Sequence, residues 1–293
     1  MPLLWESVQP EPGEQLDEEY LRRLTAAVSS STSRGMTTII DIHNYHRHDG
    51  NVVGGGVVDR ADFADLWSRL AEAFDHDPLV QFGLMNEPHD VPGGARAVQE
   101  IAQAAVTAVR ATGATNFIWV SGDGWSSAAT YADLHPTWWI SDPLDRSGAE
   151  GHYYFDASTQ RTGTYPNALA VDEATARDEG FRNLEHKVRT DLGRFVSYCQ
   201  RQQIRCLVGE IGWPNGSDAS ARPEEAAAWN AIGEAAYETL NAGGLDATYW
   251  AAGEAWGTDY NLSLYTGSPQ ARRTSVASVV EQHRSTARPD QAN

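Results

Sequence analysis

The sequence has little positive charge and no long apolar run. Its 293 residues include 40 acidic side chains against 22 lysines and arginines, which gives a formal net charge of −18. Nucleic acids and anionic membranes are bound through basic faces, so neither is an expected partner. No run of about 18 apolar residues is present, so we expect no membrane-spanning helix. Met1 is followed directly by Pro2-Leu3-Leu4-Trp5, without the basic region and cleavage site of a signal peptide.

Only two cysteines are present, Cys199 and Cys206. They can pair in an oxidising compartment, but free thiols in a reducing compartment would leave the same pattern, so both states stay open. Two catalytic motifs are also missing. The sequence contains neither a Gly-x-Ser-x-Gly element nor a phosphate-binding loop, which leaves serine hydrolase and nucleotide chemistry without support.

What is present is an alternation of short, β-branched apolar runs with amphipathic helical stretches. Strands are predicted near 2–5, 37–43, 80–86, 116–121, 149–154, 205–210 and 246–251. Helices are predicted near 16–33, 60–75, 94–112, 180–203, 223–242 and 272–284. This order indicates parallel βα units.

The fold expected from these units is a (β/α)8 barrel of the TIM type. Such a barrel has eight strands, and we count seven, so the first βα unit is expected to be absent. A doubly wound Rossmann sheet is the alternative, but it needs a glycine-rich turn after its first strand, and none is present. We expect one catalytic domain over residues 1–285 and a disordered tail over 286–293.

Polar or aromatic residues end five of the predicted strands, where a barrel carries its active site. They are His43-Asn44, Asn86-Glu87, His152 with Tyr154, Glu210 and Trp250. About three βα units separate Glu87 from Glu210, so we expect the two carboxylates to face each other. Glycoside hydrolysis needs such a pair, one protonated to donate to the leaving oxygen and one ionised to attack the anomeric carbon. A single strand-end glutamate would more often pair with an arginine, but two in this arrangement favour catalysis.

In these segments the sequence resembles glycoside hydrolase family 5, the cellulase family. The matching residues occur in the family's order: Asp41-Ile42-His43-Asn44-Tyr45, Asn86-Glu87-Pro88, His152-Tyr153-Tyr154, Val208-Gly209-Glu210-Ile211-Gly212-Trp213 and Trp250. The resemblance covers nearly the whole chain. It implies a retaining, double-displacement mechanism with Glu87 as the acid/base and Glu210 as the nucleophile.

The resemblance also implies substrate-binding roles. Asn86 would bond the sugar 2-hydroxyl, His43 would lie at the sugar next to the scissile bond, and Trp250 would form the platform beneath that sugar. Asn44 would be a further substrate-binding residue. His152 and Tyr154 would orient the two carboxylates. Flat apolar faces can stack on pyranose rings, so Trp5, Trp125 and Trp213 are further candidates, with core packing as the alternative for each.

The histidines of the segment His43-x-x-His46-x-His48 raise the question of a metal site. His46 and His48 lie in a loop past the strand end, so no metal and no other cofactor is expected. The family also usually carries an arginine near the nucleophile, in a segment that would precede Met1, and we expect weakened activity without it.

The resemblance favours an endo-β-1,4-glucanase that acts on β-glucan as an extracellular monomer. A β-mannanase or another β-glycanase of the same family is the first alternative. A truncated barrel that binds glycan without hydrolysing it is the second.

Overall fold

The computed structural model describes residues 1–157, 163–216, 222–253, 256, 260–266 and 272–284. The strands in these ranges are β1 Pro2–Leu3, β2 Thr38–Ile42, β3 Arg47–His48, β4 Asn51–Val52, β5 Val80–Gly83, β6 Ile118–Ser121, β7 Ser147–Tyr154, β8 Arg205–Gly212, β9 Asp246–Tyr249, β10 Tyr265–Thr266 and β11 Arg272–Arg273. The helices are α1 Trp5–Val8, α2 Glu18–Thr32, α3 Arg60–Phe74, α4 Gly94–Ala111, α5 Tyr131–Leu134, α6 Leu169–Asp178, α7 Leu184–Gln202, α8 Ala226–Gly243 and α9 Ser275–Gln282. Within these ranges no helix is both long enough and apolar enough to cross a bilayer.

The chain divides into two compact units. The first contains Met1–Gly151 and Cys199–Leu207, and the second contains His152–Tyr198 and Val208–Asn293. Strands β7 and β8 therefore start in the first unit and end in the second. The sheet order is β1-β2-β5-β6-β7-β8 in the first unit and β7-β8-β9 in the second.

The first unit is a parallel sheet covered by helices. The register pairs Leu3 with Ile42, Ile40 with Phe82, and Val120 with Ala149. The central strands of this sheet are rich in buried apolar residues, such as Ile40, Phe82 and Val120, as expected for a parallel sheet covered by helices.

Helix α3 shows how the sequence builds a covering helix of this unit. Asp59 caps its N-terminus by accepting from the backbone N–H groups of Ala61 and Asp62. The apolar residues recur every three or four positions and form one buried stripe: Phe63, Leu66, Trp67, Leu70, Ala71 and Phe74. The Trp67 indole Nε1 donates to the Leu84 carbonyl at 3.0 Å, which ties the helix to the segment after β5. Truncation of Trp67 to alanine would cost about 3–5 kcal/mol.

The second unit has a core of aromatic rings around Trp213. This indole stacks on Phe155 with ring centroids 5.4 Å apart, and its Nε1 donates to Asn230 at 2.9 Å. Gly233 makes room for it, because a Cβ at that position would lie 2.3 Å from the Trp213 ring. The Trp213 ring therefore requires a glycine at position 233 of α8.

The two cysteines form a disulfide bond, Cys199–Cys206. It joins the last turns of α7 to the start of β8 within the first unit. The sequence had left the oxidation state open because the spacing alone fits either state.

All seven predicted sheet strands are present, with ends shifted by a few residues. Three helices were not predicted. Two of these, α1 and α5, are single turns too short to show a period, and the buried residues of α6 are Asp172 and Ala176 rather than an apolar stripe. The last helix starts at Ser275 instead of 272, because Arg272–Arg273 pair with β10. The single domain over 1–285 remains a prediction, and the predicted tail at 286–293 lies outside the described residues.

Candidate active site

In the first unit, His43 links an acidic side chain to an amide. The His43 Nδ1 lies 2.8 Å from Asp41 Oδ2, and its Nε2 lies 3.3 Å from Asn86 Nδ2. An amide nitrogen can only donate, so this network makes Nε2 the acceptor and places the ring proton on Nδ1, where it donates to Asp41. His43 and Asn86, predicted from separate strand ends, are thus brought together.

Two carboxyl groups, those of Asp41 and Glu150, were not predicted as site residues. Burial raises the pKa of Asp41; the hydrogen bond from His43 acts against this rise, and the negative charge of Glu150 adds to it. Glu150 is itself buried and accepts a hydrogen bond from Ser121 Oγ at 3.1 Å. A signal was available, since each lies two residues before a predicted site histidine on the same strand and so on the same face of the sheet.

Glu87 is fixed by its backbone. The β5 ladder ends at Gly83, but Asn86 N still donates to the Ile42 carbonyl at 2.8 Å. Glu87 then adopts a left-handed conformation, with φ of 43°, and the Pro88 carbonyl accepts from Trp125 N at 3.0 Å. A left-handed residue other than glycine costs on the order of 1 kcal/mol and persists only where its surroundings hold it. The partly exposed Glu87 side chain is therefore presented by a strained turn.

Three rings near this turn form an aromatic cluster of Tyr45, His89 and Trp125. His89 and Trp125 stack with centroids 3.5 Å apart and planes within 6°. Tyr45 meets both rings edge-on, at 6.0 Å and 6.1 Å. Trp125 is 49% exposed, so it offers the free aromatic surface that its predicted role requires. Neither Tyr45 nor His89 was among the predicted site residues, although Tyr45 ends one of the motifs that carry the resemblance and His89 directly follows another.

Asn44, Trp5 and Trp213 were predicted to bind substrate, but their side chains contact other parts of the protein. Asn44 Oδ1 accepts from Trp5 N at 2.6 Å, and its Nδ2 donates to Glu6 at 2.5 Å, so both ends of its amide bind the protein. Trp5 and Trp213 are both 0% exposed. The core-packing alternative describes these two indoles, and the structure does not place them where a sugar ring could stack.

The loop histidines have separate surroundings. His43 binds Asp41, whereas His48 Nε2 lies 3.2 Å from the Gln9 carbonyl oxygen. His46 is buried beside apolar side chains. The three imidazoles therefore do not form one ligand set.

In the second unit, Glu210 is held by side chains of β7. The Tyr154 hydroxyl donates to Glu210 Oε2 at 2.8 Å, and His152 Nδ1 lies 3.6 Å from the same oxygen. His152 and Tyr154 share one face of β7 because strand side chains alternate, while Tyr153 on the other face donates to Asp191 at 2.8 Å. Glu210 is only 8% exposed, so these contacts act in a poorly hydrated place, where a hydrogen bond to a charged group contributes most.

Trp250 lies in a second group of rings, with Trp256 and Tyr260. Its Nε1 donates to the Tyr260 hydroxyl at 3.1 Å, and its ring meets Trp256 edge-on at 5.3 Å. Burial raises the pKa of Tyr260; the bond from Trp250 lowers it, and the charge of Glu210 raises it further. Tyr260 lies beyond the last predicted strand, and its proximity to Trp250 was not predictable from spacing.

Comparisons with known proteins agree on one family. The family model described as "Cellulase (glycosyl hydrolase family 5)" matches residues 1–255. The manganese dependent endoglucanase Eg5A of Phanerodontia chrysosporium is 33% identical over 174 residues, which are 57% of this chain and 44% of that protein. The probable endo-β-1,4-glucanase B of Aspergillus kawachii is 30% identical over 252 residues, 85% of this chain and 66% of that protein. The chain thus matches less than two thirds of the length of either relative.

A solved structure also matches over nearly the full chain. The structure of XacCel5A in complex with cellopentaose superposes with a TM-score of 0.80 and 26% identity, covering 97% of this chain and 84% of that one. This match confirms the predicted (β/α)8 fold class, with seven strands in the sheet of the described residues.

Proposed function

We propose that this chain, which belongs to glycosyl hydrolase family 5, the cellulase family, is a retaining endo-β-1,4-glucanase. Glu87 is the acid/base and Glu210 is the nucleophile. The observation that carries the proposal is the double contact to Glu210, from the Tyr154 hydroxyl at 2.8 Å and the His152 ring at 3.6 Å. The hydrogen bond from the Tyr154 hydroxyl favours the ionised form of the Glu210 carboxylate, which a nucleophile requires.

The reaction has two steps. In the first, Glu210 attacks the anomeric carbon while protonated Glu87 gives its proton to the glycosidic oxygen, so the chain breaks and a glycosyl-enzyme ester forms. In the second, Glu87 takes a proton from water, and that water attacks the same carbon and releases Glu210. Two inversions leave the product with the β configuration of the substrate.

The first unit supplies contacts for the sugar. Asn86 holds His43 through its amide nitrogen, so its carbonyl oxygen can accept from a sugar hydroxyl, in the role that the family resemblance implies for it. The Asp41–His43–Asn86 network fixes the rotamer of that amide. Preorganised hydrogen bonds of this kind strengthen in the transition state and contribute several kcal/mol.

A β-1,4-linked glucan is the proposed substrate. The names of the relatives specify endoglucanases, and the matched solved structure holds cellopentaose. The exposed Trp125 ring and the partly exposed Trp250 ring are the proposed stacking surfaces. Such a polymer cannot enter a cell, and the disulfide of Cys199 and Cys206 persists best in an oxidising compartment, so we propose an extracellular location.

The test is covalent trapping. Incubation with 2,4-dinitrophenyl 2-deoxy-2-fluoro-β-cellobioside should slow the second step, and mass spectrometry of the peptides should find the sugar on Glu210. Proton NMR of a cleaved aryl β-cellobioside should show the β anomer first. Label on another residue, or an α product, would overturn the mechanism. Faster hydrolysis of mannan than of carboxymethyl-cellulose would overturn the substrate.

A further inference from the structure

A small cavity lies inside the first unit, next to the turn that carries Glu87. Its volume is about 10 Å³, and all of its lining residues are buried. That is room for the centre of one water molecule. The wall is mostly apolar and includes Phe63, Val98 and Ile101, but it also includes His46 and Ser121.

His46 is the unusual residue of this wall. It is 2% exposed, and neither ring nitrogen has a hydrogen-bond partner among the described protein residues. Burial, with a smaller contribution from the charge of Arg47, lowers the pKa of His46 to about 4, so the imidazole is neutral at neutral pH. A neutral imidazole has one donor and one acceptor, and a buried polar group left unpaired costs about 1–3 kcal/mol. A polar occupant of the cavity removes that cost.

Ser121 offers the occupant a second partner. Its hydroxyl donates to Glu150 Oε2 at 3.1 Å, which leaves its oxygen lone pairs free to accept. A water molecule between His46 and Ser121 would have two polar partners, the smallest number typical of a buried water.

Two other lining residues connect the cavity to Glu87. Met85 and Pro88 both face it, and they bracket Asn86 and Glu87 in the chain. The backbone at His46 is also constrained, because Tyr45 and His46 have φ values of 53° and 65° and are two consecutive left-handed residues. Strain of this kind needs packing on all sides to persist.

We propose that the His46 pocket binds one ordered water molecule, and that this water and His46 position the Met85–Pro88 segment and thereby the Glu87 carboxyl. His46 is then a positioning residue for proton donation. This role rests on the proposed function, whereas the water site does not.

The first experiment concerns the water alone. A high-resolution crystal structure of the full chain should show density within hydrogen-bond distance of a His46 nitrogen. His46→Leu should remove it, and His46→Gln, which keeps polar atoms there, should retain it. A dry cavity in the wild-type protein would overturn the water site. If His46→Leu does not fold, His46→Ala is the second variant, and it should admit additional density.

The second experiment concerns the positioning of Glu87. Proton donation matters for a poor leaving group and hardly matters for dinitrophenolate. His46→Leu should therefore lower kcat/KM about tenfold for phenyl β-cellobioside and leave 2,4-dinitrophenyl β-cellobioside within about twofold, since a misplaced group of this kind can cost up to about a hundredfold. His46→Gln should restore the wild-type ratio of the kcat/KM values for the two substrates. Val98→Ala, which enlarges the same wall without removing the imidazole, is the matched control and should leave the ratio unchanged.

An equal loss on both substrates would overturn the positioning role. If the wild-type protein cleaves neither substrate, the proposed function fails instead, and the crystallographic result still decides the water site.

Discussion

Glu87 and Glu210 are the same residue type, but they are held in opposite ways. Glu210 is nearly buried, and two side chains of β7 hold its carboxylate. Glu87 is partly exposed, and its backbone is what is constrained, by the left-handed φ and by Pro88. A side-chain donor such as the Tyr154 hydroxyl favours the ionised form of Glu210, whereas the constrained backbone at Glu87 determines where its carboxyl group is presented. The two glutamates are therefore held by different means, which suits the different roles that we propose for them.

Removal of the buried carboxylate should have the largest effect. Glu210→Gln takes away the proposed nucleophile, so kcat for every substrate should fall by about 10⁴-fold or more. Initial rates on an aryl β-cellobioside measure this loss. Glu238→Gln, an exposed glutamate of the same unit, is the control and should keep wild-type rates. A residual rate near the wild-type value would refute the nucleophile assignment.

Removal of the partly exposed carboxyl should have a selective effect. Glu87→Gln should lower kcat/KM by about 10²- to 10⁴-fold for phenyl β-cellobioside, because general acid catalysis contributes that much. It should hardly change kcat/KM for the dinitrophenyl substrate, whose leaving group needs no proton. Sodium azide should restore turnover with a β-azide product. Equal losses on both substrates would make Glu87 a structural residue.

Loss of the hydrogen bond from Tyr154 to Glu210 should lower kcat by a smaller factor. Tyr154→Phe removes a bond to a charged group worth about 1.5–3 kcal/mol, so kcat should fall at least about tenfold. The acidic limb of the kcat/KM profile should also move to higher pH, because the ionised form loses its donor. Tyr153→Phe, on the opposite face of β7, is the matched control and should leave that limb in place. An unchanged acidic limb in Tyr154→Phe would mean that the bond does not favour the ionised carboxylate.

The first unit should also be the more acid-sensitive one. Burial lowers the pKa of His46 and of His135 to about 4 from an ordinary 6.5. Between these values the unfolded chain binds more protons than the folded one, so stability is complete above pH 6.5 and falls as the pH falls toward 4. The loss should be on the order of 1 kcal/mol per pH unit for each histidine.

Hydrogen exchange at pH 7 and pH 5 measures the loss of stability of each unit separately. The exposed His76 provides the control, because His76→Gln should not change the slope. Equal acid sensitivity of the two units would contradict the expectation.

Metal removal should have no effect. Double displacement by two carboxylates assigns no step to a metal ion. Dialysis against EDTA should therefore leave kcat and KM unchanged, and added Mn²⁺ should not raise them, in contrast to the manganese dependence named for one relative. A rate that falls with EDTA and returns with Mn²⁺ would require a different mechanism.

The sequence predicted the elements of the fold better than the packing of individual side chains. Most strands of the seven-stranded sheet lie in short runs rich in β-branched or aromatic residues that alternate with amphipathic helical stretches, so their positions were visible in the local sequence. The tryptophans were not distinguishable in this way. Trp5, Trp125 and Trp213 all lie at or shortly after predicted strand ends, but of these three only Trp125 is exposed. Whether an indole points into the core or out of it depends on neighbours such as Phe63 and Gly233, which are distant in sequence.

The sequence by itself determined the order of βα units and the residues at the strand ends, including Glu87 and Glu210, because alternation and strand length are local properties of the chain. Tertiary structure alone decided how each glutamate is held. The hydroxyl of Tyr154 reaches Glu210 across 56 positions of sequence. His46, which is distant in sequence, lines the same cavity as Met85 and Pro88. Hydrogen bonds and cavities of this kind depend on distances that no local pattern encodes.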